Sequence, residues 1–190
     1  MATRINLGAS TDIRPGWINA DIFAYPGIDT VCDLNERWPW PESSVDEFHA
    51  ADIFEHLQCR IFTMNQAWKC LKPGGILRME CPDAAKGAGQ WQDPTHVTPW
   101  TPNGLQYFQD GSPAHKRFSA AYGITARFKL LSCMESKYVE LAGDVRCEVY
   151  KFRAVLEALK CPFCRAPSSS HSGGGRMTVA NDTTGVREIL

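Results

Sequence analysis

The sequence predicts an α/β fold in which a mostly parallel, twisted sheet forms the centre of the domain. Three patterns support this prediction. Four short apolar runs bounded by turn residues follow one another from the N-terminus, as buried strands do. A helical stripe then lies between two such runs, which is typical of a right-handed parallel crossover. Two longer runs near the end of the chain are expected to pair as antiparallel strands.

The first four runs are predicted strands. They are RINLG at 4–8, GWINADIF at 16–23, IDTVCDLN at 28–35 and SVDEFHAADIF at 44–54. Eight residues separate Gly8 from Trp17. As a helix they advance only ~12 Å, whereas an extended chain spans roughly 26 Å and can return along a strand. Pro15 also disfavours helix at the preceding residue. The first crossover is therefore predicted to contain little or no helix.

The segment at 55–75, EHLQCRIFTMNQAWKCLKPGG, is the predicted helix. Its apolar residues recur at steps of three and four, which places them on one face. These residues are Leu57, Ile61, Met64, Trp68 and Leu71. Pro73 and the pair Gly74–Gly75 are expected to end the helix.

The remaining chain up to residue 160 completes the predicted sheet. GILRMECPD at 75–83 is the next strand, and a long covering loop with one helical turn near NGLQYF follows at 84–123. The runs at 124–141 and 145–159 form the antiparallel pair. Together these elements predict a Rossmann-like fold with an abbreviated first helix.

Length and composition predict one domain, residues 1–160, in a chain of 190 residues with a formal net charge of −1. No Lys/Arg-rich run is present, which argues against nucleic-acid or acidic-membrane partners. The opening MATRINLG does not resemble a secretory signal, and no apolar run is long enough to span a bilayer. Most of the eight cysteines lie in apolar runs, as buried thiols of reducing compartments do. We therefore expect a cytoplasmic protein.

Composition changes after Lys160. Residues 161–190 are rich in Ser, Gly, Thr and Pro, which predicts a mostly disordered tail. Cys161 and Cys164 have the spacing of half a zinc knuckle, but the sequence contains no second pair of this spacing. Cys133 and Cys147 could complete four ligands, although nothing in the sequence requires it. No metal site is predicted.

The predicted site lies where the parallel strands end, because ligands of open α/β sheets bind at the carboxyl ends of the strands. Those ends carry Gly8-Ala9-Ser10, Asp21, Asp33-Leu34-Asn35, Ala51-Asp52 and Pro82-Asp83. An Asp at the end of the second strand is suited to accept both ribose hydroxyls, and polar groups at the third strand end could reach an adenine edge. Taken singly, each of these residues is more often an ordinary turn or cap residue. Their order and spacing together carry the prediction.

The short first crossover also constrains the cofactor. With little or no helix after the Gly8 turn, the chain lacks a helix N-terminus on which a pyrophosphate could bind. This argues against NAD or FAD and favours a nucleoside cofactor without phosphate.

The whole arrangement resembles the class I S-adenosylmethionine-dependent methyltransferases, particularly small bacterial and phage members of the type 11 group. The segments that carry the resemblance are INLGAS, GWINADI, CDLN, WPWPESSVDEFHAADIFEHL, LKPGGILRMECPD and DPTHVTPWTPNGLQYF, within about residues 4–110. The resemblance implies S-adenosylmethionine as cofactor. One departure is GAS, where the family has a second glycine (G-x-G), and neither Ala nor Ser adopts positive φ as easily as Gly.

The resemblance also implies roles for individual residues. Gly8, Ala9 and Ser10 would approach the methionine part; Asp21, with Ile22 beside it, would hold the ribose; Asp33, Leu34 and Asn35 would border the adenine; Ala51 and Asp52 would lie under the sulfonium. Glu55 and His56 are expected to start the following helix near the same crevice.

Methyl transfer requires mainly alignment and exclusion of water, with a base when the acceptor is a hydroxyl or a protonated amine. DPTHV brings Asp93 and His96 together, so we expect His96 to act as general base and Asp93 to orient it. The alternative is that Asp93-Pro94-Thr95 forms a turn and His96 is structural. The acceptor side of the crevice is expected to have Trp91, Trp100, Tyr107 and Phe108 as walls.

Three functions are compatible with these patterns. The first is methyl transfer to a small-molecule or sugar-like acceptor. The absence of an Asn/Asp-Pro-Pro-Tyr/Phe motif after the fourth strand argues against methylation of base amino groups. The second is a cofactor-binding but catalytically silent regulatory or partner module, suggested by the altered GAS turn. The third, a nicotinamide-dependent oxidoreductase, is disfavoured by the missing phosphate-binding helix.

Overall fold

Seven strands form one sheet in a computed structural model that describes residues 2–142 and 145–160. The strands are β1 Arg4–Leu7, β2 Ile18–Asp21, β3 Thr30–Val31, β4 Val45–Ala51, β5 Leu71–Gly87, β6 Phe128–Ala142 and β7 Val145–Ala158. Their order is β3-β2-β1-β4-β5-β7-β6. The predicted tail at 161–190, with Cys161 and Cys164, lies outside the described residues.

Strand direction follows the prediction. β1 to β5 pair in parallel, whereas β7 lies antiparallel between β5 and β6. The order reverses between β1 and β4, which are neighbours in the sheet but are separated along the chain by β2 and β3. Such a reversal opens a crevice at the carboxyl ends of the strands. The mostly parallel sheet with its antiparallel terminal pair is thus confirmed.

The helices all follow β4 in the chain. They are α1 Arg60–Cys70, α2 Gly89–Gln92 and α3 Pro113–Tyr122, with 3-10 helices at Phe54–His56 and Pro102–Tyr107. The connections that join β1, β2, β3 and β4 are loops without helix. The predicted abbreviation of the first crossover is therefore confirmed, and it extends to the next two connections.

Helix α1 is shorter than its predicted span of 55–75. It begins after Cys59, whose Sγ accepts a hydrogen bond from the Phe62 amide, and it ends at Cys70, before Pro73. Glu55 and His56 were expected to start this helix, and that expectation was wrong. They lie in the separate 3-10 helix directly after β4, which holds them at the end of the strand.

Helix α3 lies in the segment predicted as a covering loop. The Ser112 hydroxyl accepts a hydrogen bond from the His115 amide at the N-terminus, and Gly123 closes the other end with φ +69°. These are ordinary helix-capping signals. The helix was missed because His115 is its one buried residue, so it carries little apolar periodicity.

The two faces of the sheet differ in character. Side chains such as Phe48, Leu77 and Phe152 point to one face and pack with α1 in the hydrophobic core. The alternate positions face a groove of about 540 Å³ lined by strand residues and by Arg14 of the first connection. Among the described residues no helix lines this groove, and we call it the open face. Its lining residues include His49, Ala51, Arg78, Glu80, Met134 and Arg153.

In the part of the chain that the structure describes, no helix combines the length and apolar character needed to cross a membrane.

Candidate active site

The turn after β1 requires glycine at its first position. Gly8 has φ +62°, and a Cβ atom there would lie 2.6 Å from the Ile53 side chain. Both facts exclude larger residues without a shift of the backbone. Ser10 also has positive φ, at 43°, so the GAS turn keeps two left-handed residues although only one is glycine. The contact with Ile53 joins this turn to the segment after β4.

Asp21 lies at the end of β2 and is buried, with 8% of its surface exposed. One carboxylate oxygen accepts from the Ser10 amide at 2.9 Å, and the other accepts from the Phe23 amide at 3.0 Å. A carboxylate oxygen can accept more than one hydrogen bond, so two ribose hydroxyls could still bind. Ile22 follows with its side chain 52% exposed. The predicted ribose residue thus also orders the Gly8 turn.

The three residues predicted to border the adenine differ in their burial and in their hydrogen-bond partners. The Asp33 carboxylate accepts from the backbone and side-chain amides of Asn35, at 2.8 and 3.1 Å. The Asn35 side-chain oxygen accepts from the Gln58 amide at 2.8 Å, which ties this loop to the segment before α1. Leu34 is a core residue with 4% exposure, so its backbone would be the part that reaches a ligand.

Asp52 follows β4 in a left-handed conformation, with φ +52°. Its carboxylate is ion-paired with Lys151, and Lys151 Nζ also lies 3.7 Å from a Glu80 oxygen. Burial alone would lower the pKa of Lys151. The hydrogen bond to Asp52 and the negative charges of Asp52 and Glu80 together have the larger effect, so the pKa of Lys151 is raised. Ala51 lies on the open face of the sheet. Positive φ at a non-glycine residue is costly and clusters at functional sites.

Glu55 is fully buried at the carboxyl end of β4. Neither of its carboxylate oxygens has a hydrogen-bond partner among the described residues, although the weakly donating thiol of Cys81 lies nearby. Burial raises the pKa of Glu55 to about 7, and the charge of Asp52 adds to the increase. A buried acid without a partner is uncommon in proteins and requires an explanation.

His56 and His96 form a pair beside Glu55. Their ring centroids lie 4.7 Å apart, edge to face. Burial, and next the charge of His96, lower the pKa of His56, so its imidazole is neutral at pH 7. The prediction that Asp93 and His96 lie together is compatible with the structure, where Asp93 Oδ2 is 3.7 Å from His96 Nε2. This is too long for a hydrogen bond, and the Asp93 carboxylate instead accepts from Thr95.

The aromatic residues predicted as walls of the acceptor site separate into two groups. Trp91 is 67% exposed, whereas Trp100 and Phe108 belong to the core. Trp100, Tyr107 and Phe108 line a cavity of about 340 Å³ beside α1 and α3. The Trp100 indole donates to the Phe54 carbonyl at 3.1 Å, which anchors the covering segment on the 3-10 helix that carries Glu55 and His56.

Comparison with known proteins identifies the fold. No protein-family profile and no curated protein sequence matches the chain. Solved structures do match. A protein from Bacillus halodurans described as a methyltransferase gives a TM-score of 0.58 at 10% identity, over 83% of this chain and 93% of that one. S-adenosylmethionine-dependent methyltransferases from Archaeoglobus fulgidus and Methanosarcina mazei both give 0.53, at 13% and 12% identity. They cover 82% and 83% of this chain, and 86% and 92% of their own.

At these identities the comparison establishes architecture and no more. The chain has the fold of the class I S-adenosylmethionine-dependent methyltransferases, as the resemblance predicted.

From the sequence, Glu55 and His56 are expected near the crevice, with no role for Glu55 and with His56 a weaker candidate for the base than His96. The cluster of Glu55, His56 and His96 forms only when the connections after β4 and β5 meet in space. The adjacent Glu-His pair at a strand end was the one local signal, and it did not indicate that His96 would join it.

Proposed function

We propose that this protein transfers a methyl group from S-adenosylmethionine to a hydroxyl of a small-molecule or sugar-like acceptor in the cytoplasm. The observation that carries the proposal is the contact of Gly8 with Ile53. It joins the predicted cofactor turn to the segment that bears Glu55 and His56. Groups suited to hold a cofactor and groups suited to accept a proton therefore adjoin at the carboxyl end of the sheet.

The cofactor part of the proposal rests on the Gly8 turn and Asp21. The two positive φ angles of the turn let the backbone approach a ligand closely. Asp21 presents a carboxylate with unused acceptor capacity, as two vicinal ribose hydroxyls require. The connection from β1 to β2 contains no helix, which suits a nucleoside without a pyrophosphate.

The acceptor part rests on the two histidines. When bound, S-adenosylmethionine supplies an electrophilic methyl group on a sulfonium. The chain must align an acceptor oxygen with that group, exclude water and take up the hydroxyl proton. The neutral imidazole of His56 and the adjacent ring of His96 are suitable proton acceptors. The formal charge of −1 gives no general attraction to nucleic acids and favours a small acceptor.

Calorimetric titration with S-adenosylmethionine and S-adenosylhomocysteine tests the cofactor assignment. We expect micromolar binding by the full chain and a loss of about tenfold or more for Asp21→Asn, because a charged acceptor of hydrogen bonds is removed. Asp110→Asn is the matched control, since Asp110 pairs with Arg127 away from the crevice. Absence of binding by the unaltered protein would overturn the proposal.

A second candidate is a cofactor-binding module without turnover. It is favoured because the groups predicted to bind the cofactor already accept hydrogen bonds from the protein. The Ser10 and Phe23 amides donate to Asp21, and the Gln58 amide donates to Asn35. We would screen catechols, sugars and polyols as acceptors. Release of S-adenosylhomocysteine with any of them would exclude a module without turnover.

A further inference from the structure

Glu55, His56 and His96 offer three metal-binding atoms within 4.8 Å of one another. Glu55 and His56 come from the 3-10 helix after β4, and His96 comes from the turn after α2. Glu55 is buried, and both histidines are half-buried. The cluster therefore has a closed side formed by the carboxylate and an accessible side formed by the two imidazoles.

The Glu55 carboxylate lacks a partner that its burial demands. It is 0% exposed. Its own backbone amide and the weakly donating Cys81 thiol lie nearby, but among the described residues neither oxygen accepts a well-directed hydrogen bond. A buried carboxylate in this state is unfavourable unless it is protonated or paired with a cation. A positive ion next to Glu55 would provide that pairing.

The hydrogen bonds of the two histidines favour free Nε2 atoms. His96 Nδ1 lies 3.2 Å from the Gln90 carbonyl, which can only accept, so Nδ1 carries the proton. His56 Nδ1 lies 3.0 Å from the Thr95 hydroxyl, and that hydroxyl donates its own proton to Asp93. Both imidazoles thus have Nδ1 protonated and an Nε2 lone pair available. Metal-binding histidines in proteins are typically oriented in this way.

We propose that Glu55, His56 and His96 form a binding site for one divalent first-row transition cation of the kind that Mn²⁺ and Zn²⁺ represent. Two imidazoles and one carboxylate suit borderline cations such as Zn²⁺, and the harder Mn²⁺ accepts the same donors with lower affinity, whereas Mg²⁺ and Ca²⁺ prefer oxygen alone. Ligand atoms of a tetrahedral ion lie roughly 3.4 Å apart. The present spacing of up to 4.8 Å is wider, so the two histidine side chains must rotate for the three ligand atoms to meet around one ion.

Three protein ligands leave open coordination positions for an acceptor oxygen. When bound there, the cation would supply positive charge that lowers the pKa of a ligating hydroxyl, so that its proton can pass to solvent water before the oxygen receives the methyl group. His56 and His96 then act as ligands and not as proton acceptors. This catalytic consequence rests on the proposed function, whereas cation binding does not.

Titration of the chelator-treated full chain with Mn²⁺, followed by electron paramagnetic resonance of the free ion, tests the site. Mn²⁺ is the suitable probe because thiols such as Cys161 and Cys164 compete for zinc but bind manganese poorly. We expect one equivalent of Mn²⁺ to bind and Zn²⁺ to displace it. Glu55→Gln and His96→Gln should each weaken binding by at least about tenfold.

His49→Gln is the matched control, because His49 lies on the open face of the sheet and should leave the affinity unchanged. Paramagnetic broadening should be strongest for the ring signals of His56 and His96. Absence of saturable binding, or unchanged affinity in Glu55→Gln, would overturn the inference. Because the readout is the metal ion, a failure to bind S-adenosylmethionine would be a separate result that concerns only the proposed function.

Discussion

The imidazole rings of His56 and His96 lie 4.7 Å apart, edge to face, although one follows β4 and the other follows β5. Asp93, which was expected to orient His96, lies 3.7 Å from its Nε2 atom and accepts hydrogen bonds from Thr95. The partner that the sequence indicated for His96 is thus the weaker one. The histidine that precedes α1 is in closer contact with it.

His96→Ala should lower the single-turnover rate of methyl transfer by about 100-fold or more, whether the ring accepts a proton or binds a cation. Asp93→Asn should have a smaller effect, because the Asp93 carboxylate is hydrogen-bonded to Thr95 and lies 3.7 Å from His96 Nε2. Release of S-adenosylhomocysteine with the first acceptor that supports turnover is the measurement. Equal losses in the two variants would contradict the geometry, and His49→Ala serves as the control.

Ser10→Gly should stabilise the turn after β1 and tighten cofactor binding. Ser10 has φ 43°, and a left-handed conformation costs an L-residue about 1 kcal/mol. Glycine avoids this cost, but it loses more conformational entropy on folding, so the net gain is smaller. Urea unfolding and calorimetric titration measure the two effects. Ser43→Gly is the matched control, since Ser43 has φ 54° in the loop before β4. Because Ser43→Gly also removes a hydrogen bond from Lys160, it can change stability in either direction but should leave the affinity unchanged. An equal gain in affinity would refute the role of Ser10.

Gly8→Ala should destabilise the protein more than Gly123→Ala does. Both residues have positive φ, at +62° and +69°, so both substitutions cost about 1 kcal/mol in backbone conformation. Only at Gly8 would the new methyl group collide with Ile53, because no atom lies within 4 Å of a Cβ at Gly123. Urea unfolding of the two variants gives the difference. Because the Ile53 Cβ itself would lie 2.8 Å from the new methyl group, Ile53→Gly is the relieving change. Gly8→Ala should cost less in the Ile53→Gly background than in the unaltered protein, and an equal cost would exclude the steric explanation.

Glu55→Gln should remove a pH dependence of stability. The pKa of Glu55 is about 7 in the folded protein and 4.5 for an ordinary glutamate. Because the folded pKa is the higher one, the stability that protonated Glu55 allows is complete below pH 4.5. It is lost as pH rises through 7. The loss approaches roughly 3 kcal/mol at pH 8.5, since one pKa unit corresponds to about 1.4 kcal/mol.

Urea unfolding of chelator-treated protein at pH 5 and pH 8.5 measures this effect. The unaltered protein should lose stability relative to Glu55→Gln between the two values, and the contributions of all other groups cancel in that difference. Parallel pH profiles for the two proteins would contradict a buried, unpaired carboxylate.

The sheet could be predicted from sequence because each strand is a local pattern. Runs such as RINLG and VDEFHAA carry the period of a strand, and the short interval before Trp17 excludes a crossover helix. The same segments carry the resemblance to the class I methyltransferase fold. Helix α3 carried its signals in Ser112 and Gly123, but its exposed sides provide no apolar stripe.

The cluster beside the crevice could not be predicted in the same way. Glu55 is a surface-type residue by composition, and its burial arises only when the covering segment docks through Trp100 on Phe54. The alternation of charged residues with apolar residues in β4 and β5 did indicate a sheet with only one buried face. This pattern differs from the usual parallel sheet, which is covered on both faces.

Because no helix covers the open face of the sheet among the described residues, an apolar surface there would promote self-association. Oppositely charged side chains cover it instead, with Arg78 paired to Glu47 at 2.5 Å and Arg153 paired to Glu80. Neutralising these residues would create a flat apolar surface of the kind that drives aggregation. Solubility of the protein is therefore expected to depend on these two ion pairs of the open face.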